Sequence, residues 1–497
     1  MALAAAGAPL IVVLVAMGIL RWSAAAAGAT GFLTAFVIAL LAFDLTATAP
    51  ATVGPAQATA GALSEALHSA ATILWIIVPA LSIYELQRRT GALERIRNAL
   101  VGLSGDRAIQ AVLIAWFFGL FMEGAAGFGT PVALAAPLLV GLGYAPVTAV
   151  ALALIGHAAG VSFGAVGTPV FAQAEITGMS PHEIGVATAL LHATLGTLLL
   201  LFVMRMAGGA FTLRNVGWAT VAGACFLVPF LALAMLTGPE LPTLGGALIG
   251  AILFVVILRW RAPEQAARPE FIRLLPDLAP YLIILALVLA TRLLGPLQDT
   301  LGGIRIGWSL HDTFRGTFQP LYHPGTVLLL GFLLGGVVTG RAAHLLPAAK
   351  AAAERLIPVA LALLAMLAMS RLMVHSGMIE ALAEGAAASG AIWPLLAPAI
   401  GLLGTFVTGS ATASNILFTE FQLTTASALV LPTITMVAAQ GFGAAIGNII
   451  APHNIIAGAA TVGLKGREGE ILARTISACA IYAAAGGLLV MIVAWLV

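Results

Sequence analysis

Apolar blocks, each close to the length of a helix that crosses a bilayer, recur from one end of this chain to the other. A hydrocarbon core takes about 20 apolar residues per helix. Blocks near that length fall at 2–20, 31–43, 66–84, 108–122, 146–162, 183–204, 215–237, 243–258, 278–294, 324–340, 356–375, 391–407, 429–447 and 473–497. With 61% hydrophobic and 8% charged residues, the chain lacks the polar side chains for a water-facing surface. Peptide groups in lipid must bond within their own segment, and the alternating ten-residue strands of a barrel are not found. The expectation is an all-α polytopic membrane protein of about 12–14 transmembrane helices. Met1 to Leu20 has neither a basic start nor a polar cleavage region and reads as a retained span. Cys225 and Cys479 sit in apolar runs, as small core residues rather than a disulfide or metal framework. A net charge of +2, with arginines in small groups, carries no signal for nucleic acid.

Short cytoplasmic loops hold an excess of Lys and Arg, so these residues assign the sides. Eighteen of the 22 fall on one side: Arg21; Arg88, Arg89, Arg95, Arg97 and Arg107; Arg205 and Arg214; Arg259, Arg261, Arg268 and Arg273; Arg341, Lys350 and Arg355; Lys465, Arg467 and Arg474. Loops 44–65, 174–182 and 238–242 contain none. Arg292, Arg305 and Arg315 lie in or beside a long outer loop, Arg371 is alone inside an apolar segment, and both termini face outward.

A weak internal repeat runs through this pattern. Gly119-Leu-Phe-Met-Glu-Gly124 is similar to Gly404-Thr-Phe-Val-Thr-Gly409; later come Phe163-Gly-Ala-Val-Gly167 and Phe442-Gly-Ala-Ala-Ile-Gly447, soon followed by Pro169 and Pro452. The charge assignment sends the first unit in from the cytoplasm and the second from outside, so the repeats are inverted. Inverted repeats with helices broken at matching positions point to a secondary transporter with a mid-membrane binding site. The competing account has Gly124, Gly127, Gly160, Gly164, Gly443 and Gly447 merely letting helices pack closely. It leaves the prolines and the clustered Thr, Ser and Asn unexplained.

Glu123-Gly-Ala-Ala-Gly-Phe-Gly-Thr-Pro131 with Leu138-Leu-Val-Gly-Leu-Gly143 resembles a signature of the bacterial lactate permease family. Phe163 to Pro169, Thr408-Gly-Ser410 with Thr412 and Asn415, and Ala460-Thr-Val-Gly-Leu464 are similar to its other landmarks. The resemblance covers most of 65–180 and 355–475. It implies a symporter of small 2-hydroxymonocarboxylates such as lactate and glycolate, driven by protons, in the bacterial cytoplasmic membrane. It also implies an elevator with two re-entrant hairpins. The matching division is N-terminal scaffold helices 1–107; a first transport repeat 108–182, with hairpin 124–142 and a broken helix near 163–170; linking scaffold helices 183–355; a second repeat 356–472, with hairpin 408–428 and a broken helix near 442–454; and a C-terminal helix 473–497. Where relatives usually carry an aspartate and a lysine, this chain has Ala411 and Asn448, and histidines stand at His157 and His453.

A carboxylate substrate needs desolvated donors, which hairpin tips supply as helix N-termini beside hydroxyls and amides. Thr130, Thr168, Thr408, Ser410, Thr412, Ser414 and Asn415 fit, and Asn448 and Asn454 flank the second break with amide donors. Glu123 ends an apolar span, where an ionised carboxylate is expensive, and is the proton-coupling candidate. His157, His375 and His453 could donate to a carboxylate or relay a proton, with His157 placed beside Glu123 in that role. Arg371 is too deep in its span to reach water easily, and a buried guanidinium wants a planar carboxylate, either the substrate's or an internal acid's. Glu420 lies in the second hairpin without an assigned role.

Gly160-Val-Ser-Phe-Gly164 matches the nucleophile-elbow string, but it lies in a helical run without the preceding strand that an enzyme would need. No phosphate loop or zinc helix motif occurs, and an internal inverted pair favours alternating access over a channel. The expected partners are a small organic anion and membrane lipid, with a homodimer compatible; no metal or cofactor is expected beyond a co-transported proton.

Overall fold

The computed structural model describes residues 2–47, 53–127, 129–208, 212–261, 271–464 and 466–496. Phe128 of the signature and the basic residues Arg268 and Lys465 lie outside the described residues. Among the described residues, ten helices are long and apolar enough to cross a membrane, or up to twelve if each of two bent pairs is one span. Ala2–Gly18, Thr130–Gly141 and Pro324–Val338 are apolar but shorter. Fewer full spans than hydropathy blocks are therefore found, because several blocks form helices that stop or turn partway.

The membrane-embedded chain is helical, as expected from its composition. The loop after Gly295–Gly303 adds a two-stranded antiparallel sheet, β1 (Ile306–Leu310) and β2 (Phe314–Phe318), closed by His311 and Asp312 at positive φ. This departs from an all-helical expectation because water outside the bilayer can satisfy sheet edges that lipid cannot. The hairpin is anchored by Phe314, fully buried with its ring 4.9 Å from that of His375 and its edge filling the space beside Gly61.

The peripheral spans show one packed and one exposed side, whereas Arg107–Ala125 and Thr433–Thr461 are buried nearly all round. In Leu213–Thr237, Ala219, Ala222, Phe226 and Phe230 are buried, while Val228, Met235 and Leu236 are exposed. Phe226 and Phe230 form an aromatic column, with Trp116 edge-on to Phe226 at 5.4 Å and Phe163 edge-on to Phe230 at 5.2 Å. That column fixes the stretch around Phe163, where a span breaks.

Two helical hairpins point into the bundle. In the first, Arg107–Ala111, a π-helical turn Val112–Phe118 and Gly119–Ala125 run inward, and Thr130–Gly141 packs back on them. In the second, Trp393–Thr408 turns at Gly409 into Ala411–Ala428. Two spans are interrupted beside these hairpins, and a third, Pro181–Leu195 with Thr197–Gly208, bends by 41°. Pro146–Gly156 passes into a 3-10 turn, Ala158–Phe163, with a 43° bend, and Ala165, Val166 and Gly167 are all left-handed before the helix resumes. Thr433–Gly447 ends four residues before Pro452–Thr461 begins.

The glycines divide between both roles considered above. Gly443 and Gly447 let Thr433–Gly447 press on Trp393–Thr408: a Cβ on Gly443 would overlap the Pro398 carbonyl, and one on Gly447 would lie 2.8 Å from Thr405 Cβ. Gly124 and Gly160 admit Leu244 and Thr243 of Pro242–Arg261. Gly127 at φ 58° and Gly129 at φ 77° instead form the first hairpin's tip.

Gly443→Ala is expected to cost about 1–3 kcal/mol through overpacking, seen as a lowered thermal midpoint in detergent. Gly217→Ala, where a Cβ meets nothing within 4 Å, is expected to leave the midpoint unchanged or slightly raised.

Candidate functional site

Both hairpin tips and both helix breaks meet at one place. A cavity of about 40 Å³ is lined by Glu123, Gly127 and Gly129 of the first hairpin; by Val161, Gly164, Ala165, Thr168 and Pro169 of the first break; by Gly409, Ser410, Ala411 and Thr412 of the second hairpin; and by Asn448 of the second break. That volume is enough to admit water.

Local sequence explains each tip. Thr130 donates from Oγ1 to the Gly127 carbonyl at 2.8 Å, closing the glycine turn, and Pro131 starts the helix with no amide hydrogen to leave unpaired. In the second tip, Thr408 Oγ1 donates to Gly404 O at 2.8 Å and accepts from the Ser410 amide, while Ser410 Oγ accepts from Ala413 N at 3.3 Å as an N-cap. Thr168 Oγ1 donates to Ala165 O at 2.7 Å at the restart of the first broken helix. Three helix N-terminal segments, beginning near Thr130, Thr168 and Ala411, thus border one cavity. Their aligned peptide dipoles favour a negative charge there.

Glu123, 4% exposed, is the carboxylate on this wall. Gly164 leaves its oxygen the space that a Cβ would occupy. His157 stands across from it, Nε2 to Glu123 Oε2 at 3.9 Å. His157 Nδ1 lies 2.6 Å from the Ala153 carbonyl, which can only accept, so Nδ1 carries a hydrogen. Nε2 is left facing the Asn448 side chain, 3.3 Å from Oδ1. A proton placed on Nε2 finds two oxygens within 4 Å, on Asn448 and on Glu123.

The remaining residues singled out in the sequence divide clearly. Asn415 is fully buried and donates to Pro169 O at 3.0 Å; its Oδ1 has no hydrogen-bond partner among the described residues. Asn454 donates to Asn448 O at 3.4 Å, tying the two sides of the second break. Ser414 donates to Gly401 O within the hairpin. His453 is exposed beside the second tip, where a Cβ on Gly409 would lie 2.7 Å from its Cβ, and does not line the cavity.

Arg371 is not in the cavity. Its guanidinium donates to the carbonyls of Ile176 at 3.2 Å and Glu175 at 2.8 Å, at the C-terminal end of Gly164–Thr177. Glu65 Oε2 lies 3.8 Å from Nε and also meets His375 Nε2 at 2.9 Å. A cation at a helix C-terminus is favoured by the helix dipole. The internal-acid alternative describes its surroundings, with Glu65 as the acid.

A buried polar chain escaped the sequence reading. Ser162 donates to Gly441 O at 3.1 Å, so it accepts from His192 Nε2 at 2.9 Å, and His192 Nδ1 accepts from Tyr482 at 3.0 Å. The serine of the G-x-S-x-G string is thereby committed to holding the first break against Thr433–Gly447. Gln173 and Gln440 likewise bond across helices, to Val437 O and to Ser414. A polar side chain inside an apolar run was the available signal. Among the described residues, no group of three or more His, Cys, Asp or Glu is placed to hold a metal ion.

Comparison with known proteins agrees with this architecture. The chain is 29% identical to the glycolate permease GlcA of Escherichia coli strain K12, covering 98% of this chain and 94% of that protein. It is 29% identical to the L-lactate permease of Bacillus subtilis strain 168, over 95% and 92% of the two chains. Among solved structures, the YdaH transporter of Alcanivorax borkumensis shares the fold at a TM-score of 0.55 and 13% identity, over 95% of this chain and 98% of that one. MtrF of Neisseria gonorrhoeae, described as illuminating a class of antimetabolite efflux pumps, does so at 0.50 and 16%, over 94% and 95%. The L-lactate permease family model matches residues 2–273 and 309–497. This chain is therefore a multi-pass transport protein of the bacterial cytoplasmic membrane, not an enzyme, and it belongs to the L-lactate permease family.

Proposed function

We propose that the protein carries a small 2-hydroxymonocarboxylate, of the lactate or glycolate type, together with a proton, by alternating access around the cavity between the hairpin tips. The observation that carries this reading is the convergence of three helix N-terminal segments on a cavity walled by Glu123 and backed by His157. Helix N-terminal amides and the Ser410 and Thr412 hydroxyls give a carboxylate charge-assisted donors without a fixed countercharge, while Thr168 shapes the first break with its hydroxyl bonded to Ala165 O. Asn448 adds an amide beside the proton group, and Thr130, Asn415 and Asn454 hold the surrounding turns in place. The names of the two relatives support the substrate class.

A neutral cargo explains why Glu123 belongs on the same wall. An anion near an ionised carboxylate in a low-dielectric cavity is repelled, whereas a proton on the Glu123–His157 pair removes that repulsion. Substrate and proton then bind together or not at all, which is what symport requires. The two hairpins with their broken spans act as inverted transport repeats moving against the scaffold, with Gly127, Gly129 and Gly409 shaping the tips.

The test is counterflow and uptake in proteoliposomes with short monocarboxylates and sulfonates, with and without a pH gradient. Glu123→Gln is expected to retain counterflow while losing acceleration by an inward proton gradient; undiminished gradient dependence would refute its role. Gly164→Ala, which crowds Glu123, is expected to lower uptake about tenfold or more, a barrier change of about 1.4 kcal/mol. Gly141→Ala, with nothing within 4 Å of the added Cβ, serves as its control. Arg371→Ala is expected to keep the substrate KM within about threefold, while Asn448→Ala raises it about tenfold; the reverse order would return Arg371 to the binding site.

A further inference from the structure

A second and larger cavity, of about 730 Å³, opens at the other end of the first broken helix. Its walls include Gly178, His182, Glu240, Arg292, Arg305 and His323. Loops 174–182 and 238–242 contain no Lys or Arg, which puts this vestibule on the outer side. We propose that it is a second, weaker site for the same small carboxylate, an antechamber that collects the anion before it enters the central cavity. This rests on the carrier function proposed above.

Arg292 is the main observation. Its side chain is 9% exposed, its guanidinium stacks 3.7 Å from the Tyr322 ring centroid, and Nε and Nη2 both donate to the same Glu240 oxygen, at 3.1 and 2.6 Å. Nη1 and the other Glu240 oxygen have no hydrogen-bond partner among the described residues. The guanidinium is held rigid without using all its donors, as suits planar recognition of a carboxylate.

His323 supplies a neutral donor on the same wall. Its Nδ1 accepts from the Gly325 amide at 3.2 Å, which leaves the hydrogen on Nε2. Burial, with Arg292 adding to it, pushes this imidazole down to about 4, so it stays uncharged at neutral pH. Arg305 adds an exposed guanidinium at the rim. Of the two wall carboxylates, Glu240 is paired with Arg292, and Glu175 lies on the helix whose end Arg371 caps.

The vestibule and the central cavity lie along one helix. Thr168 lines the central site, while Phe171, Glu175 and Gly178 line the vestibule. At 3.6 residues per turn these four fall on one helix face, and Thr168 to Glu175 spans about 10 Å. Phe171 is the apolar side chain between the two compartments.

The test uses the full-length protein carrying Arg305→Ala with His323→Asn, the latter keeping an N-cap acceptor while removing the imidazole donor. Equilibrium dialysis of detergent-purified protein with labelled L-lactate is expected to give two sites per chain in the parent and one in the variant. In proteoliposomes of defined sidedness, the variant is expected to raise the outer-side KM at least fivefold relative to the inner-side KM. A single site in the parent, or an equal change on both sides, would overturn the antechamber while leaving the carrier reading intact. Absence of lactate uptake in the parent would sink the carrier reading and the antechamber with it.

Discussion

A peptide group released from its helix inside a bilayer must find a partner in protein or water, because lipid offers none. This chain releases such groups at four places: the glycine tip at Gly127 to Gly129, the left-handed run Ala165 to Gly167, the turn at Gly409, and the gap between Gly447 and Pro452. A lipid-facing position for any of them would cost several kcal/mol per group. Gathering them around one small cavity meets that constraint at all four.

Close helix packing makes the gathering possible. The glycines at 124, 443 and 447 bring backbones to near contact, and the aromatic column through Trp116, Phe226, Phe230 and Phe163 seats the first break. The Tyr482–His192–Ser162 chain and the cross-helix bonds of Gln173 and Gln440 then tie the helices around the breaks together. Ala165 and Val166 keep left-handed conformations that side-chain-bearing residues seldom adopt, and such local strain is typical of sites that bind.

The arginine-rich helix ends also hold buried carboxylates. Glu85, fully buried, meets Arg88 at 2.8 Å and Arg355 at 2.9 Å, and Asp277 meets Arg95 at 2.7 Å and also pairs with Arg341. Each carboxylate thereby joins helix ends distant in sequence. Because several of these arginines are half exposed, solvent screening limits what each pair contributes to stability. Their value lies in fixing which helix ends lie together.

Sequence alone determined position along the membrane normal. Hydropathy placed the helices in lipid, arginine counts oriented the loops, and polar or glycine-rich interruptions at Glu123 to Pro131, Phe163 to Pro169, Thr408 to Asn415 and Asn448 to Asn454 marked where helices break. These signals are local, because the cost of burying a charge or freeing a peptide depends on depth, which each segment carries in its own composition. Tertiary structure decided the lateral arrangement. Arg371 was legible as a buried cation, yet only packing turned it toward the carbonyls of Glu175 and Ile176 and away from the cavity. Likewise, only packing set His157 between Glu123 and Asn448, committed Ser162 to His192, and enclosed an outer vestibule around Arg292. Helices at equal depth are interchangeable to hydropathy, and the shapes of their touching faces choose among neighbours.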